Sequence, residues 1–261
     1  MIVYGQWHKL EDRMRIERFS LQRKYEIMCK MFVPVNCEVQ TVIIGVHGFA
    51  GDKESSMLHK LAEGVVESSG SVLICFDFPA HGESPVNELE FTVENCKKDL
   101  LAVAEYITEL YPDTQKNIFA TSFGGYISLL CYDMLADFKF LLRAPAIKMP
   151  DLLLNNVLKI SENTFRSKRF IDCGYERKIR LSYSFYTELQ EQEDLFNKDF
   201  RKTIYLFQGD RDDIVPLEVV STFVNNNKNT ELIVIPGADH RFKNAGEIET
   251  IVAKTKQILD A

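Results

Sequence analysis

Short apolar runs alternate with longer segments of helical spacing along most of this chain. The apolar runs are five or six residues long and lie at 41–46, 71–76, 116–120, 138–142, 203–207 and 231–235. Apolar residues recur with helical spacing in the segments 54–67, 92–110, 123–135, 217–225 and 246–259. Buried parallel strands read as continuous apolar runs, and each needs a crossover to reach the next strand. The pattern therefore predicts an α/β protein with a mostly parallel, twisted sheet flanked by helices.

Two stretches of the chain depart from this alternation of predicted strands and helices. Near the N-terminus, the β-rich runs 14–21 and 25–33 predict an antiparallel hairpin. Residues 146–200 are too long for a simple crossover and are rich in aromatic side chains. We expect an inserted cap or lid there, with 1–145 and 201–261 forming the core. An independent small domain unrelated to the chemistry is the alternative interpretation of 146–200.

Composition narrows the class of protein and of partner. The chain has 261 residues, 46% of them hydrophobic and 26% charged, with a formal net charge of −7. These values are typical of a globular protein, and the acidic balance argues against a nucleic-acid partner. No apolar stretch is long enough to cross a bilayer, and charged residues interrupt the N-terminal segment, so we expect neither a membrane association nor a secretion signal. The six cysteines are scattered, which favours reduced thiols and a cytoplasmic location. A monomer and a homodimer are both open.

The third of the parallel runs leads directly into a helix through Ala120-Thr121-Ser122-Phe123-Gly124. Small residues two positions before and after a serine allow the sharp strand–turn–helix corner that exposes a nucleophilic hydroxyl. In parallel sheets ligands bind beyond the carboxyl ends of the strands, which is where this corner lies. Ser122 is therefore the candidate nucleophile, and a structural helix cap is the alternative.

The first parallel run is followed by a glycine-containing loop at 47–51. Glycines let the backbone approach a reacting atom closely, and acyl transfer needs N–H donors aimed at the developing oxyanion. We predict that the backbone amides of Phe49 and of Phe123 form this oxyanion hole. An ordinary turn would use the same glycines, so the loop supports this chemistry only together with Ser122.

The candidates for a general base are the five histidines His8, His47, His59, His81 and His240. His8 lies in the N-terminal segment and His59 in a helical pattern. His47 and His81 are flanked by glycines in loops, where a histidine is usually structural. His240 follows the last apolar run, at the edge where ligands bind, and is the predicted base.

The imidazole of a general base needs a carboxylate to orient it. Three acids follow the run at 203–207 within four positions, namely Asp210, Asp212 and Asp213. At least two of them are expected to serve the turn itself. The spacing of the three acids from Gly209 on one side and from Val215-Pro216 on the other favours Asp212 as the orienting carboxylate. The resulting order along the chain is serine, aspartate, histidine.

Taken together, these segments resemble an α/β-hydrolase, and most of all the capped bacterial esterases related to cinnamoyl/feruloyl esterases and monoacylglycerol lipases. The segments that carry the resemblance are 47–51, 77–84, 120–125, 209–216 and 237–242. The resemblance implies the α/β-hydrolase fold, with Ser122 as nucleophile, His240 as base and Asp212 as its orienter. It also implies that the amides of Phe49 and Phe123 hold the oxyanion, and that His81 is a structural loop residue.

Three positions depart from the family pattern. Ala120 and Ala80 stand where the family usually has glycine, and alanine is small enough to require only a local adjustment. Arg143 stands at a strand end that the family commonly keeps apolar. This cation either contacts an acidic group of the substrate or pairs with an acidic neighbour.

The expected function is that of a serine carboxylic-ester hydrolase that works through an acyl-enzyme on a small-molecule ester. Neither a metal nor an organic cofactor is needed for this chemistry. Feruloyl-type esters, other small acyl esters and monoacylglycerols are all open as substrates. The same fold hosts peptidases, amidases and C–C hydrolases, which are the alternative activities. A non-catalytic binding protein is a remote alternative.

The predicted cap is expected to determine which substrates are accepted, with Tyr183 and Tyr186 as its substrate contacts. Arg143, in the predicted core, is a third candidate contact. The cap carries a cluster of cations at Arg166, Lys168, Arg169, Arg177, Lys178 and Arg180. A run of acids follows at 188–194. These blocks are either solvated faces of a strand pair and a helix, or the cations attract anionic acyl or phosphorylated substrates.

Overall fold

Eleven strands and eight α-helices make up the computed structural model, which describes residues 8–10, 14–35, 37–174 and 178–261. The strands are β1 (His8–Leu10), β2 (Met14–Gln22), β3 (Glu26–Pro34), β4 (Thr41–Val46), β5 (Ser71–Phe76), β6 (Gln115–Thr121), β7 (Lys139–Arg143), β8 (Phe170–Cys173), β9 (Ile179–Ser182), β10 (Ile204–Gly209) and β11 (Thr230–Ile235). The α-helices are α1 (Ser56–Ser69), α2 (Val93–Leu110), α3 (Phe123–Leu130), α4 (Met149–Leu152), α5 (Glu162–Lys168), α6 (Tyr183–Gln190), α7 (Leu217–Asn226) and α8 (Glu247–Leu259).

One sheet of nine strands organises the molecule, in the order β1-β2-β3-β5-β4-β6-β7-β10-β11. The pairs β1–β2, β2–β3 and β3–β5 are antiparallel, and every pair from β5 to β11 is parallel. The predicted hairpin is formed by β2 and β3, which pair from Met14 opposite Pro34 to Gln22 opposite Glu26. The predicted α/β class, with its mostly parallel sheet and antiparallel start, is confirmed.

Helices cover both faces of the parallel strands, which explains why these strands are apolar without alternation. Every residue of β4 and of β5 is buried. In β4, Ile43 packs in one apolar cluster with Leu61 of α1 and Ile251 of α8. Its neighbour Ile44 joins a second cluster on the other face with Val103 of α2. Successive side chains of a strand point to opposite faces, so one short run supplies both cores.

The segment between β7 and β10 builds its own helices and a ribbon of two strands. Helix α4 continues as a π-helical turn at Leu153–Leu158, and α5, the antiparallel pair β8–β9, α6 and a 3₁₀ turn at Leu195–Asn197 follow. Phe165 of α5 and Phe185 of α6 are buried in the same apolar cluster as Ile44 and Val103. The segment thus shares a core with one face of the sheet. Its assignment to a cap at 146–200 stays a prediction, and the N-terminal limit of the predicted core lies outside the described residues.

Helix α6 is fastened to the start of α2 by Glu188. The two carboxylate oxygens of Glu188 accept hydrogen bonds from the amides of Val93, at 2.9 Å, and of Glu94, at 3.0 Å. The first amides of a helix have no partner within the helix, and a carboxylate there is also favoured by the helix dipole. This contact ties the segment between β7 and β10 to the sheet domain.

Replacing Glu188 with alanine is expected to lower the free energy of unfolding by about 1–2 kcal/mol, because two helix-start amides lose their acceptor. Urea unfolding of the two proteins measures the difference. Glu191→Ala is the matched control, since Glu191 is an exposed acid at the end of the same helix. Equal stability losses for the two variants would contradict this role of Glu188.

None of the described helices combines the length and the apolar character needed to cross a bilayer.

Candidate active site

Ser122 lies on a sharp turn between β6 and α3. Its backbone has φ 50° and ψ −116°, a strained conformation for a residue other than glycine. The turn is held from both sides, because the Ser122 amide donates to the carbonyl of Arg143 at 2.9 Å and the Ser122 carbonyl accepts from the amide of Ala146 at 3.1 Å. Gly124 is needed two positions later, since a Cβ there would lie 2.8 Å from the carbonyl oxygen of Val46. The hydroxyl is thereby presented at the carboxyl edge of the sheet.

His240 approaches Ser122 from the loop that follows β11. Its Nε2 accepts a hydrogen bond from the Ser122 hydroxyl at 3.1 Å, and its Nδ1 donates to Oδ2 of Asp212 at 2.8 Å. A carboxylate only accepts, so the Asp212 contact places the ring proton on Nδ1 and leaves Nε2 free to receive the serine proton. The structure therefore brings together the three residues that the sequence predicted, although they are separated by up to 118 positions.

Hydrogen bonding distinguishes Asp212 from its two acidic neighbours. Oδ1 of Asp212 accepts the amides of Ile214, at 2.9 Å, and of Val215, at 2.7 Å. The exposed Asp210 instead accepts the amide of Gly237 at 2.6 Å and braces the loop before His240. Asp213 is also exposed. Only Asp212 is buried and in contact with the imidazole.

Gln208 is a site residue that the sequence analysis missed. It is fully buried at the end of β10, and its Nε2 donates to Oδ2 of Asp212 at 3.0 Å and to the carbonyl of Val215 at 2.8 Å. Together with the two backbone amides and His240, it completes four donors around one carboxylate. A polar residue at the end of an otherwise apolar strand was the signal that could have found it.

The loop after β4 lies directly against the nucleophile. A Cβ built on Gly48 would be 3.1 Å from Cβ of Ser122 and 3.8 Å from its Oγ. Phe49 directly follows Gly48 in the chain, and Phe123 directly follows Ser122, so their backbone amides lie next to this close contact. Among the described residues no acceptor pairs with either amide. Both amides are thus available to an oxygen developing negative charge beside Ser122.

Gly48→Ala is expected to lower kcat about 10- to 100-fold with a smaller change in KM, because the added methyl group displaces the loop that carries the Phe49 amide. Gly48 has no positive φ, so alanine is tolerated by the backbone itself. Steady-state kinetics beside a thermal melt separates the two effects. A kcat equal to that of the wild type would show that the loop is not part of the catalytic geometry.

Two histidines hold this loop to the loop after β5. Nε2 of His47 accepts the amide of Phe78 at 3.1 Å, and Nε2 of His81 accepts the amide of Ala50 at 3.2 Å. Each ring donates its Nδ1 proton to a nearby backbone carbonyl. These contacts join the backbones on either side of the oxyanion loop. Among the described residues, the imidazole that bonds to Ser122 is that of His240.

An aromatic wall closes one side of the site. The rings of Phe49 and Phe123 are 4.7 Å apart, and Phe185 of α6 lies 5.8 Å from Phe49 and 5.9 Å from Phe123. Phe91 stacks on Phe185 at 4.6 Å. Helix α6 therefore rests on both predicted oxyanion residues, and it excludes water from that side.

A cavity of about 1320 Å³ opens over Ser122 and His240. Residues of α4 and of the following π-helical turn form part of its wall, together with Cys173 and Lys178. Burial raises the pKa of the Cys173 thiol to about 12, so this thiol is not ionised at neutral pH and does not compete as a nucleophile.

The predicted substrate contacts divide into two groups. Arg143 lines the cavity. Among the described residues that line it, neither Tyr183 nor Tyr186 is found. The Tyr183 hydroxyl donates to Glu162 of α5 at 2.8 Å, and the Tyr186 hydroxyl accepts from Gln190 at 3.1 Å. Both hydroxyls thus bond within their own segment, and a contact of these two tyrosines with the substrate stays a prediction.

The cationic cluster is likewise dispersed. Lys178 lines the cavity, Arg166 pairs with Glu162 at 3.0 Å, and Arg180 is 3.8 Å from Glu88. Arg177 lies outside the described residues.

Two family models match the chain. The model of the α/β-hydrolase fold matches residues 41–135, and that of the prolyl oligopeptidase family matches residues 92–259. The second match covers 168 of the 261 residues. No curated protein sequence matches the chain significantly.

Solved structures share the fold over nearly the whole chain. Est1E from Butyrivibrio proteoclasticus, solved with ferulic acid bound, has a TM-score of 0.77 at 23% identity, with 89% of this chain and 94% of that chain covered. The esterase domain of a Rhodothermus marinus protein has a TM-score of 0.70 at 15% identity, covering 94% and 97%. Mouse α/β hydrolase domain-containing protein 10 has a TM-score of 0.65 at 16% identity, covering 99% and 98%. At these identities the likeness concerns the fold.

Proposed function

Since the chain belongs to the α/β-hydrolases, and by sequence to the prolyl oligopeptidase family among them, we propose that it is a serine hydrolase that cleaves carboxylic esters through an acyl-enzyme. The observation that carries the proposal is the continuous hydrogen-bonded line from the Ser122 hydroxyl through His240 to Asp212. Such a line lets a hydroxyl lose its proton at the moment it attacks a carbonyl carbon.

In the first step His240 takes the Ser122 proton on Nε2 while Oγ attacks the ester carbonyl. The amides of Phe49 and Phe123 hold the resulting oxyanion. The protonated imidazole then gives its Nε2 proton to the departing alkoxide, which leaves as the alcohol. An ester bond between Ser122 and the acyl group remains.

In the second step a water molecule repeats the attack on the acyl-enzyme, with His240 as base and then as acid. Asp212 keeps the imidazole in the tautomer with its proton on Nδ1 and stabilises the positive charge that the ring acquires. Gln208 and the amides of Ile214 and Val215 hold the carboxylate in place. The products are the free acid and the regenerated serine.

The proposed substrates are small esters, including those of cinnamoyl or feruloyl type. A cavity of about 1320 Å³ accommodates a phenolic acyl group with its alcohol. The binding of ferulic acid by Est1E, which has the same fold, supports a phenolic ester as a test substrate.

A peptidase or amidase is the second candidate, and the match to the prolyl oligopeptidase family favours it. The same nucleophile, base and oxyanion donors would serve, since amide cleavage differs mainly in the protonation of the leaving amine.

Labelling with a fluorophosphonate probe, followed by mass spectrometry of the labelled peptide, tests the nucleophile. We expect modification at Ser122 alone. A panel of p-nitrophenyl esters and methyl ferulate, run beside aminoacyl arylamides, tests the bond that is cleaved. Hydrolysis of the arylamides with little ester cleavage would establish the second candidate, and no labelling together with no hydrolysis would contradict both.

A further inference from the structure

Arg143 lies beside the nucleophile at the carboxyl edge of the sheet. It is the last residue of β7, where it is opposite Thr121 of β6 and Phe207 of β10. Its carbonyl accepts the Ser122 amide at 2.9 Å, and its side chain lines the cavity over the site. A group held by this guanidinium would therefore lie in the same cavity as the scissile bond.

The guanidinium of Arg143 is buried, and no carboxylate within the described part of the chain pairs with it. The residue is 9% exposed, and no ion pair within the described residues includes it. Its Nε donates to the Thr121 hydroxyl at a long 3.3 Å, and one Nη donates to the carbonyl of Arg241 at 3.4 Å. The ring of Phe242 lies under it at 5.0 Å. Most of its N–H donors thus have no acceptor in these contacts, which is unfavourable for a buried charge.

The acids nearest to Arg143 are engaged elsewhere. Both oxygens of Asp212 are occupied by His240, Gln208 and two backbone amides. Asp239 accepts the amide of Arg241 at 2.8 Å. Burial lowers the pKa of Arg143 to about 10, because the charges of Asp212 and Asp239 offset only part of its desolvation. The side chain nevertheless stays cationic at neutral pH.

The cavity is cationic although the chain as a whole is acidic. Five cations line it, namely Arg143, Lys159, Lys178, Arg241 and Lys243, against the three acids Asp52, Glu54 and Asp172. Glu54 pairs with Lys30 at 2.5 Å and Lys243 lies 3.8 Å from Asp239, and neither Lys30 nor Asp239 is a lining residue, so the cations remain in excess. An excess of one sign of charge in a cleft favours ligands of the opposite sign.

We propose that Arg143 anchors a carboxylate of the substrate, so that the preferred substrates are esters with an anionic group near the scissile bond. The planar guanidinium fork matches a carboxylate in two parallel hydrogen bonds. This inference rests on the proposed esterase function and narrows its substrate class.

Matched pairs of esters test the inference. p-Nitrophenyl hydrogen glutarate and p-nitrophenyl pentanoate differ mainly in the terminal carboxylate of the acyl chain. Phenyl butyrate and its meta-carboxylate place the anion on the alcohol side. We expect at least one anionic member to be preferred at least about 10-fold in kcat/KM at low salt, with a preference that falls as salt increases. Equal kcat/KM within both pairs would overturn the inference.

Substitution of Arg143 separates binding of an anion from bracing of the loop that carries His240. Arg143→Met is expected to reduce the anionic-to-neutral ratio of kcat/KM at least about 10-fold, mainly through KM, with Arg143→Lys intermediate. Arg201→Met is the control, since Arg201 is exposed and is not a lining residue. If Arg143→Met slows both esters and fluorophosphonate labelling to the same extent, Arg143 is only a brace and the inference is wrong.

Inhibition of the wild-type protein gives a readout that does not depend on the folding of a variant. Glutarate is expected to inhibit hydrolysis of p-nitrophenyl pentanoate competitively, and glutaramide is not. No difference between the two would overturn the inference. If the anionic and neutral esters of both pairs are hydrolysed at equal rates, the inference about Arg143 fails but the esterase proposal stands. If no ester is hydrolysed and Ser122 is not labelled, both the esterase proposal and the inference about Arg143 are wrong.

Discussion

Ser122→Ala is expected to lower kcat/KM for esters by about 10⁴- to 10⁶-fold. Ser122 is the cavity-lining serine that bonds to His240, and its hydroxyl forms the covalent intermediate of the proposed mechanism. The alanine variant retains the proposed oxyanion donors and the cavity, so the remaining rate is that of direct attack by water on an ester held against those donors.

Ester hydrolysis and fluorophosphonate labelling measure this loss together. Ser167→Ala is the matched control, because Ser167 is an exposed serine of α5 whose hydroxyl donates to the carbonyl of Thr164. The thermal melt of Ser122→Ala should resemble that of the wild type, since the turn is held by its backbone contacts. Full labelling of the alanine variant would assign the nucleophile to another residue.

Asp212→Asn is expected to reduce kcat by about 10³- to 10⁴-fold while leaving Ser122 in place. Four donors surround the carboxylate, from His240, Gln208, Ile214 and Val215. An asparagine has only one oxygen, so its NH₂ group must face two of these donors in either orientation. Where the NH₂ group faces His240, the imidazole loses its acceptor or takes the tautomer with its proton on Nε2.

The same mismatch is expected to cost about 1–3 kcal/mol of folding stability, because buried donors lose their acceptors. Single-turnover kinetics and urea unfolding check the two effects separately. Asp213→Asn and Asp210→Asn are the controls within the same loop. A larger loss of kcat in Asp213→Asn than in Asp212→Asn would move the orienting role to Asp213.

The parallel sheet could be predicted because its signal is local. Runs of apolar residues at 41–46 and 71–76 coincide with β4 and β5, since a strand covered on both faces has no polar side. The predicted helix at 123–135 is shorter in the structure, where α3 ends at Leu130 and a 3₁₀ turn follows at Tyr132–Leu135. Helical periodicity alone does not distinguish one continuous helix from a helix and a tighter turn.

For the segment between β7 and β10 the sequence predicted a cap or lid with a strand pair and a helix, but not the bounds of these elements. The pair β8–β9 and the helices α4 to α6 are short, and their stability comes from packing on the sheet domain rather than from their own periodicity. The sequence did not indicate which of the aromatic side chains in this segment face the active site. Phe185 points to the predicted oxyanion residues, while Tyr183 and Tyr186 bond within the segment.

The sequence by itself determined the fold class and a short set of candidate residues, because strand–turn–helix corners and the loops that follow strands are encoded by neighbouring residues. Only the tertiary structure decided which of three acids contacts His240, since that depends on hydrogen bonds between loops after two different strands. It likewise revealed Gln208 behind Asp212 and showed Arg143 buried with no carboxylate partner among the residues it describes. Pairing of buried polar groups is a property of the packed sheet, where residues more than a hundred positions apart, such as Ser122 and His240, come within 3.1 Å.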